Sequence, residues 1–185
     1  MDRAPRFVFV GSLINRKGAM DAVVAFEKLS ICDAMLVLVG DGELNSTIQQ
    51  FIVEHNLDKQ ICIMPNLSAE QISIEFLQSQ FFLLPSYGDT GPTALKEAIA
   101  SGLYPICYNN SGPADLIRHY GCGRVCETGN VIALAHVMRY CVDNKEKCVQ
   151  DGLRASRFVR KELAPASVWD KLLEVYDGKT KDDSR

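Results

Sequence analysis

The sequence predicts a doubly wound α/β sheet of about six parallel strands, with helices on both faces and extra helices at the carboxy end. Three observations predict it. Short apolar runs alternate with longer amphipathic patterns, as βαβ units require. The short runs are apolar at consecutive positions, as in strands covered on both faces. Glycines mark the turns that follow them, at Gly11 and Gly18, Gly40 and Gly42, Gly88 and Gly91, and Gly112.

Taken in order, strands are expected over residues 7–10, 35–39, 61–64, 81–84, 104–107 and 124–126. Helices are expected over 17–29, 44–55, 69–78, 92–101, 113–119 and 131–143. After residue 143 the alternation stops and two helices follow, over 144–162 and 165–176. Pro165 suits a first helical turn, and Trp169, Leu172, Leu173 and Tyr176 form an apolar stripe at helical spacing. One domain over residues 1–178 is expected, with a charged, disordered tail over 179–185.

Composition narrows the function classes. The 185 residues suffice for one α/β domain, and 47% apolar with 23% charged residues is ordinary for a globular protein. A net charge of -3 argues against nucleic acid as the main partner. The seven cysteines include no C-x-x-C pair, and several sit inside apolar runs, where a free thiol acts as a small hydrophobe. A reduced, cytosolic compartment fits them. No histidine or further cysteine completes a zinc set around Cys122 and Cys126, so no metal is expected. No signal peptide or membrane-spanning segment is visible, and residues 6–10 enter a buried-type strand at once, which would suit a chain cut at a domain boundary.

Two turns carry chemistry. The first runs from Gly11 and Ser12 to Arg16, Lys17 and Gly18, bringing two cations to the start of a helix. There, free N–H groups and the helix dipole already favour an anion, and a diphosphate would gain countercharge. A solvated basic pair is the alternative. The spacing is not that of a Walker loop. The second turn follows the fourth strand, from Pro85 and Ser86 through Asp89, Gly91 and Pro92 to Glu97. Pro92 fits a first helical turn and leaves the amides of Thr93 and Ala94 free. Asp89 and Glu97, at different depths, suit a polyhydroxyl ligand. Spacing alone equally admits a capping acid and a surface ion pair. Val39, Gly40, Asp41, Gly42 and Glu43 form a further glycine turn, common turn chemistry by itself.

In order and spacing these pieces resemble the family 4 retaining glycosyltransferases, whose two Rossmann-like domains form the GT-B architecture. Residues 6–176 are similar to the carboxy-terminal, donor-binding domain. The resemblance is carried by G-S-x-x-x-R-K-G from Gly11, V-G-D-G-E from Val39, P-S at Pro85 and Ser86, and acids separated by seven residues at Asp89 and Glu97. E-A-x-A-x-G from Glu97 and S-G-P-x-D from Ser111 continue it.

The resemblance implies a Rossmann-like fold and sugar transfer with retention from a UDP-, GDP- or ADP-linked donor in glycan synthesis. It makes Asp89 and Glu97 the catalytic acidic pair. Arg16 and Lys17, with Gly11, Ser12 and the amides of Thr93 and Ala94, would hold the diphosphate. Glu97 would bind the ribose, Asp89 with Gly91 and Pro92 the transferred sugar, and Asn66 and Leu67 the base. No cofactor or bound metal is implied; basic groups and the helix dipole would stabilise the leaving diphosphate.

Three departures bear on donor identity: Ser12 stands where many members carry Arg, Asp89 where Glu is usual, and Gly91-Pro92 where Phe-Gly is usual. The acceptor pocket, and often a catalytic histidine, come from an amino-terminal domain in this family. The expectation is therefore a chain that binds nucleotide weakly and transfers nothing alone. Peripheral association of the intact enzyme with the inner face of a membrane is a further expectation. The other readings are a GT-B relative such as an epimerase or phosphorylase, and a non-catalytic Rossmann-like binding or interaction module.

Overall fold

The computed structural model describes residues 4–89, 93–110 and 112–162. Six strands form one parallel sheet: β1 (Arg6–Val10), β2 (Met35–Val39), β3 (Ile61–Met64), β4 (Phe81–Leu84), β5 (Tyr104–Tyr108) and β6 (Arg124–Cys126). Their spatial order is β3-β2-β1-β4-β5-β6. The chain winds outward from β1 in one direction, returns to β4, then winds outward in the other. β1 and β4 are hydrogen-bonded neighbours, with Phe7 opposite Phe81 and Val8 opposite Phe82. The topological switch point lies between them, and ligands of such sheets bind outside the strands' carboxyl ends there.

The helices are α1 (Ala19–Leu29), α2 (Asn45–Glu54), α3 (Ala69–Gln78), α4 (Thr93–Ala100), α5 (Pro113–Tyr120), α6 (Val131–Asp143) and α7 (Lys145–Glu162). Right-handed crossovers put α1 and α2 on one face of the sheet and α4 and α5 on the other. α6 returns to pack on α1, while α7 packs on α4 and touches α5. α7 is tied to α4 by Arg160 Nε donating to the Ala100 carbonyl at 2.6 Å.

Strand burial explains the unbroken apolar runs. Phe7, Val8, Phe9, Leu36, Leu38, Phe81, Phe82, Leu83, Ile106 and Tyr108 are all sealed from solvent. Phe7 stacks on Phe81 across the β1–β4 pair at 4.8 Å between centroids and meets Phe26 of α1 edge-on at 6.1 Å. Cys107, Cys122, Cys126, Cys141 and Cys148 are buried as small core side chains.

The first helix corrects the sequence reading. A helix beginning at Lys17 was expected; instead Asn15–Lys17 form one turn of 3-10 helix, and α1 starts at Ala19. Gly18 separates them with φ 69°, and a Cβ there would lie 1.9 Å from the Pro85 carbonyl oxygen. A left-handed residue in that close approach has to be glycine. The remaining expected elements agree with the structure to within a residue or two at their ends. The helix expected over 165–176, with its Trp169 stripe, and the tail lie outside the described residues. No described helix is long and apolar enough to cross a membrane.

Candidate functional site

The loops after β1, β2 and β4 meet at the carboxyl end of the sheet through their backbones. Gly11 N–H donates to Val39 at 3.0 Å, Leu13 to Asp41 at 2.9 Å, and Leu44 to Leu13 at 3.0 Å. Glycine is what lets the second turn run against the first: a Cβ at Gly40 would sit 2.1 Å from the Gly11 carbonyl oxygen, and at Gly42 2.5 Å from that of Leu13. The V-G-D-G-E turn thus shapes the floor on which the basic turn rests. Asp41 locks its own end, accepting from Asn45 at 3.1 Å and from the Gly42 amide at 2.8 Å. Those bonds, the Asn45 side chain first, lower its pKa below the usual carboxylate value.

Across the switch point the basic turn is stitched to the loop after β4. Tyr87 N–H donates to the Arg16 carbonyl at 2.9 Å, and the Arg16 guanidinium donates to the Gly88 carbonyl at 3.0 Å. Ser86, 0% exposed, donates from Oγ to the Arg16 carbonyl at 3.3 Å and accepts from Gly88 N–H at 3.3 Å. Its own carbonyl accepts from the Asn110 amide at the end of β5. Ser86 is therefore the buried joint that sets Arg16 against Gly88. Sequence reasoning had it only as part of a P-S pair.

The central contact is ionic. Lys17 Nζ lies 2.6 Å from Asp89 Oδ2, with side-chain exposures of 22% and 13%. Arg16 is exposed beside it. The expected phosphate cations and the expected sugar acid thus form one cluster. α4 begins at Thr93, so the amides of Thr93 and Ala94 fall in its first turn, where no helical carbonyl can accept from them. Gly11 is half-buried and Ser12 exposed at the head of the basic turn. Gly91 and Pro92 lie outside the described residues.

Glu97 is not in that cluster. It sits one turn into α4 and lines a cleft of about 380 Å³ between α3 and α4, with Ala69, Ile72, Ser73 and Phe76 on the facing helix. It is exposed, and its carboxylate makes no hydrogen bond or ion pair with a described residue. The surface ion pair that spacing alone allowed is therefore not formed with any of them. Asn66, exposed, and Leu67, half-buried, lie in the loop leading into α3. That helix opens with a capping box in which Ser68 accepts from Gln71 N–H and the Gln71 side chain accepts from Ser68 N–H.

The histidines stand apart. His55 stacks on Phe51 at the end of α2, His119 lies 3.4 Å from Glu162, and His136 is on α6. A further surface cleft, about 540 Å³, is near Pro5 and the α6–α7 junction, away from the loops that follow β1 and β4. The fold gives it no ligand role, because open sheets of this kind bind at the opposite end of the strands.

A parallel α/β sheet ordered 3-2-1-4-5-6, with a cation–carboxylate cluster at its switch point and a carboxylate-lined cleft beside it, defines the doubly wound, Rossmann-like class of domain. Comparison with known proteins places it further. The profile of glycosyl transferases group 1 matches residues 2–156, and the chain belongs to this family. The 2-deoxystreptamine N-acetyl-D-glucosaminyltransferase of Niallia circulans is 27% identical over 174 residues, spanning 93% of this chain and 45% of that protein. The amylovoran biosynthesis glycosyltransferase AmsK of Erwinia amylovora is 26% identical over 181 residues, spanning 93% and 44%. The chain thus spans less than half the length of these relatives. Among solved structures, Anabaena HepE in complex with UDP superposes with a TM-score of 0.83 at 15% identity, covering 95% of this chain and 49% of that one. That likeness establishes the fold, a Rossmann-like α/β domain.

Proposed function

We propose that this chain binds a nucleotide-diphosphate sugar and serves as the donor half of a glycosyltransferase that transfers the sugar with retention in glycan synthesis. The observation that carries it is the Lys17–Asp89 cluster at the switch point, with Arg16 alongside and the first turn of α4 following it. A diphosphate resting there would gain two cations and the Thr93 and Ala94 amides, over the backbone of Gly11 and Ser12. Developing charge on the leaving diphosphate would be stabilised by the same groups without rearrangement.

The α3–α4 cleft supports the nucleoside end. The Glu97 carboxylate is free to accept from ribose hydroxyls, and Asn66 and Leu67, in the loop that leads into α3, would meet the base. Asp89, positioned by Lys17, would accept from hydroxyls of the transferred sugar, beside Gly91 and Pro92. HepE was solved with UDP, which favours a nucleoside diphosphate ligand here. The relatives are roughly twice as long, so the acceptor pocket is assigned to a further domain and the chain is expected to transfer nothing by itself. Buried thiols support a reducing, cytoplasmic setting.

Calorimetric titration with UDP, GDP and ADP tests this reading. Binding of one of them is the expected result. Binding of none by folded protein would point instead to an interaction module.

A further inference from the structure

Asp21, half-buried in the first turn of α1, accepts two hydrogen bonds on one oxygen. Tyr87, in the loop after β4, donates to its Oδ2 at 2.8 Å, and Tyr108, at the end of β5, donates to the same atom at 2.6 Å. Tyr108 is sealed from solvent, so its hydroxyl has to find a protein acceptor. Hydrogen bonds onto a carboxylate are about twice as strong as those between neutral groups. The Asp21 hydrogen bond pushes the Tyr87 phenol up, and burial, with Asp21 next, does the same for Tyr108, so both hydroxyls remain donors at neutral pH. The carboxylate thereby ties three elements together: α1, β5 and the loop that carries Asp89.

That loop has few other anchors. Tyr87 N–H donates to the Arg16 carbonyl, the Gly88 carbonyl accepts from the Arg16 guanidinium, and Asp89 accepts from Lys17. Gly88 N–H turns back on Ser86 within the segment. Among the described residues, then, the side chains that hydrogen-bond residues 87–89 from elsewhere in the chain are Arg16, Lys17 and Asp21. Two of these are the cations assigned to the diphosphate. A guanidinium or ammonium that turns to phosphate oxygens gives up or shares its hold on Gly88 and Asp89. A carboxylate offers a diphosphate no attraction, so the grip of Asp21 on Tyr87 persists when the donor arrives. Two residues from Asp89, the loop is thus pinned by an anchor for which the donor does not compete.

We propose that Asp21 is a positioning residue for donor-sugar recognition: through the Tyr87 hydroxyl it keeps Asp89 against the sugar while the diphosphate draws on Arg16 and Lys17. Tyr108 holds Asp21 in turn. The role rests on the donor reading of the Lys17–Asp89 cluster.

Calorimetric titration of wild type, Tyr87→Phe, Asp21→Ala and Asp21→Asn tests it. The ligands are UDP, GDP and ADP, the glucose conjugate of each, UDP-galactose and UDP-N-acetylglucosamine. The quantity read is the affinity for a nucleotide sugar relative to that for its own nucleotide. Tyr87→Phe, which removes only the hydroxyl, and Asp21→Ala should lower that ratio about five-fold, with nucleotide affinity changed by less than about two-fold. Asp21→Asn retains an acceptor oxygen and should recover most of the loss. Tyr87→Phe leaves the Tyr108–Asp21 bond in place, so the test stands even if Asp21→Ala folds poorly. An unchanged ratio in the folded variants, or equal weakening of nucleotide and nucleotide sugar, overturns the positioning role and leaves the donor reading standing. Folded wild type that binds none of the nucleotide sugars overturns the donor reading, and the positioning role with it.

Discussion

Lys17 Nζ meets Asp89 Oδ2 at 2.6 Å, joining the loop after β1 to the loop after β4 across the switch point of the sheet. Both side chains are largely shielded, so the pair is poorly screened by water. Removing one partner leaves a shielded charge without its nearest counterion. Lys17→Ala should lower stability by about 1–3 kcal/mol, read by urea denaturation. In a double-mutant cycle, Lys17→Ala with Asp89→Asn should cost less than the two single changes summed, by about 1 kcal/mol.

Gly18 holds that cluster in register. Its φ of 69° and the 1.9 Å approach of a Cβ to the Pro85 carbonyl oxygen make any side chain both strained and clashing. Gly18→Ala should therefore destabilise the protein by at least about 3 kcal/mol. Gly88, where a Cβ would meet nothing within 4 Å, is the control: Gly88→Ala should cost well under half as much in the same denaturation series.

The buried thiols predict loss of stability in alkali. Burial pushes the Cys126 thiol up to about 11 and that of Cys122 up to about 12. In the unfolded chain a thiol ionises near pH 8.5. Between those values the unfolded state has released protons that the folded state still holds, so stability falls as pH rises. The contribution is fully present below about pH 8.5 and declines through pH 11 and beyond. Thermal melts from pH 7 to 11 should show the midpoint falling above pH 8.5. Replacing Cys122 and Cys126 together by Ala should lessen that fall, the rest coming from groups such as Cys107, whose thiol burial also pushes up.

Glu97 should distinguish ribose from deoxyribose. A carboxylate accepting from ribose hydroxyls contributes about 1.5–3 kcal/mol, so Glu97→Ala should weaken UDP binding at least about ten-fold. Wild-type protein should prefer UDP over 2′-deoxy-UDP, and the variant should bind both alike. Equal binding of the two by the wild type would remove Glu97 from the ribose.

The fold was legible because its signals are local. Consecutive apolar residues such as Phe81, Phe82, Leu83 and Leu84, short and set between longer amphipathic patterns, read as a doubly covered strand, and β4 runs over those four. The start of α1 was misread because the left-handed turn at Gly18 answers to Pro85, far along the chain. The site was legible in part. Arg16, Lys17, Asp89 and Glu97 stood out by type and spacing, but sequence could not show that Lys17 pairs with Asp89 while Glu97 stays apart. Asp21, Tyr87 and Tyr108 carried no signal at all: their bonds span 66 and 87 residues, and an Asp in a first helical turn reads as helix-dipole complement.

The most direct test of the account is calorimetric titration of wild type, Lys17→Ala and Glu97→Ala with whichever of UDP, GDP and ADP binds best, and with pyrophosphate as competitor. Diphosphate at the Lys17–Asp89 cluster and nucleoside in the Glu97 cleft predict that each variant weakens the nucleotide about ten-fold or more. Pyrophosphate should lose affinity only in Lys17→Ala. Undiminished nucleotide binding in both folded variants, or none in the wild type, would contradict the account.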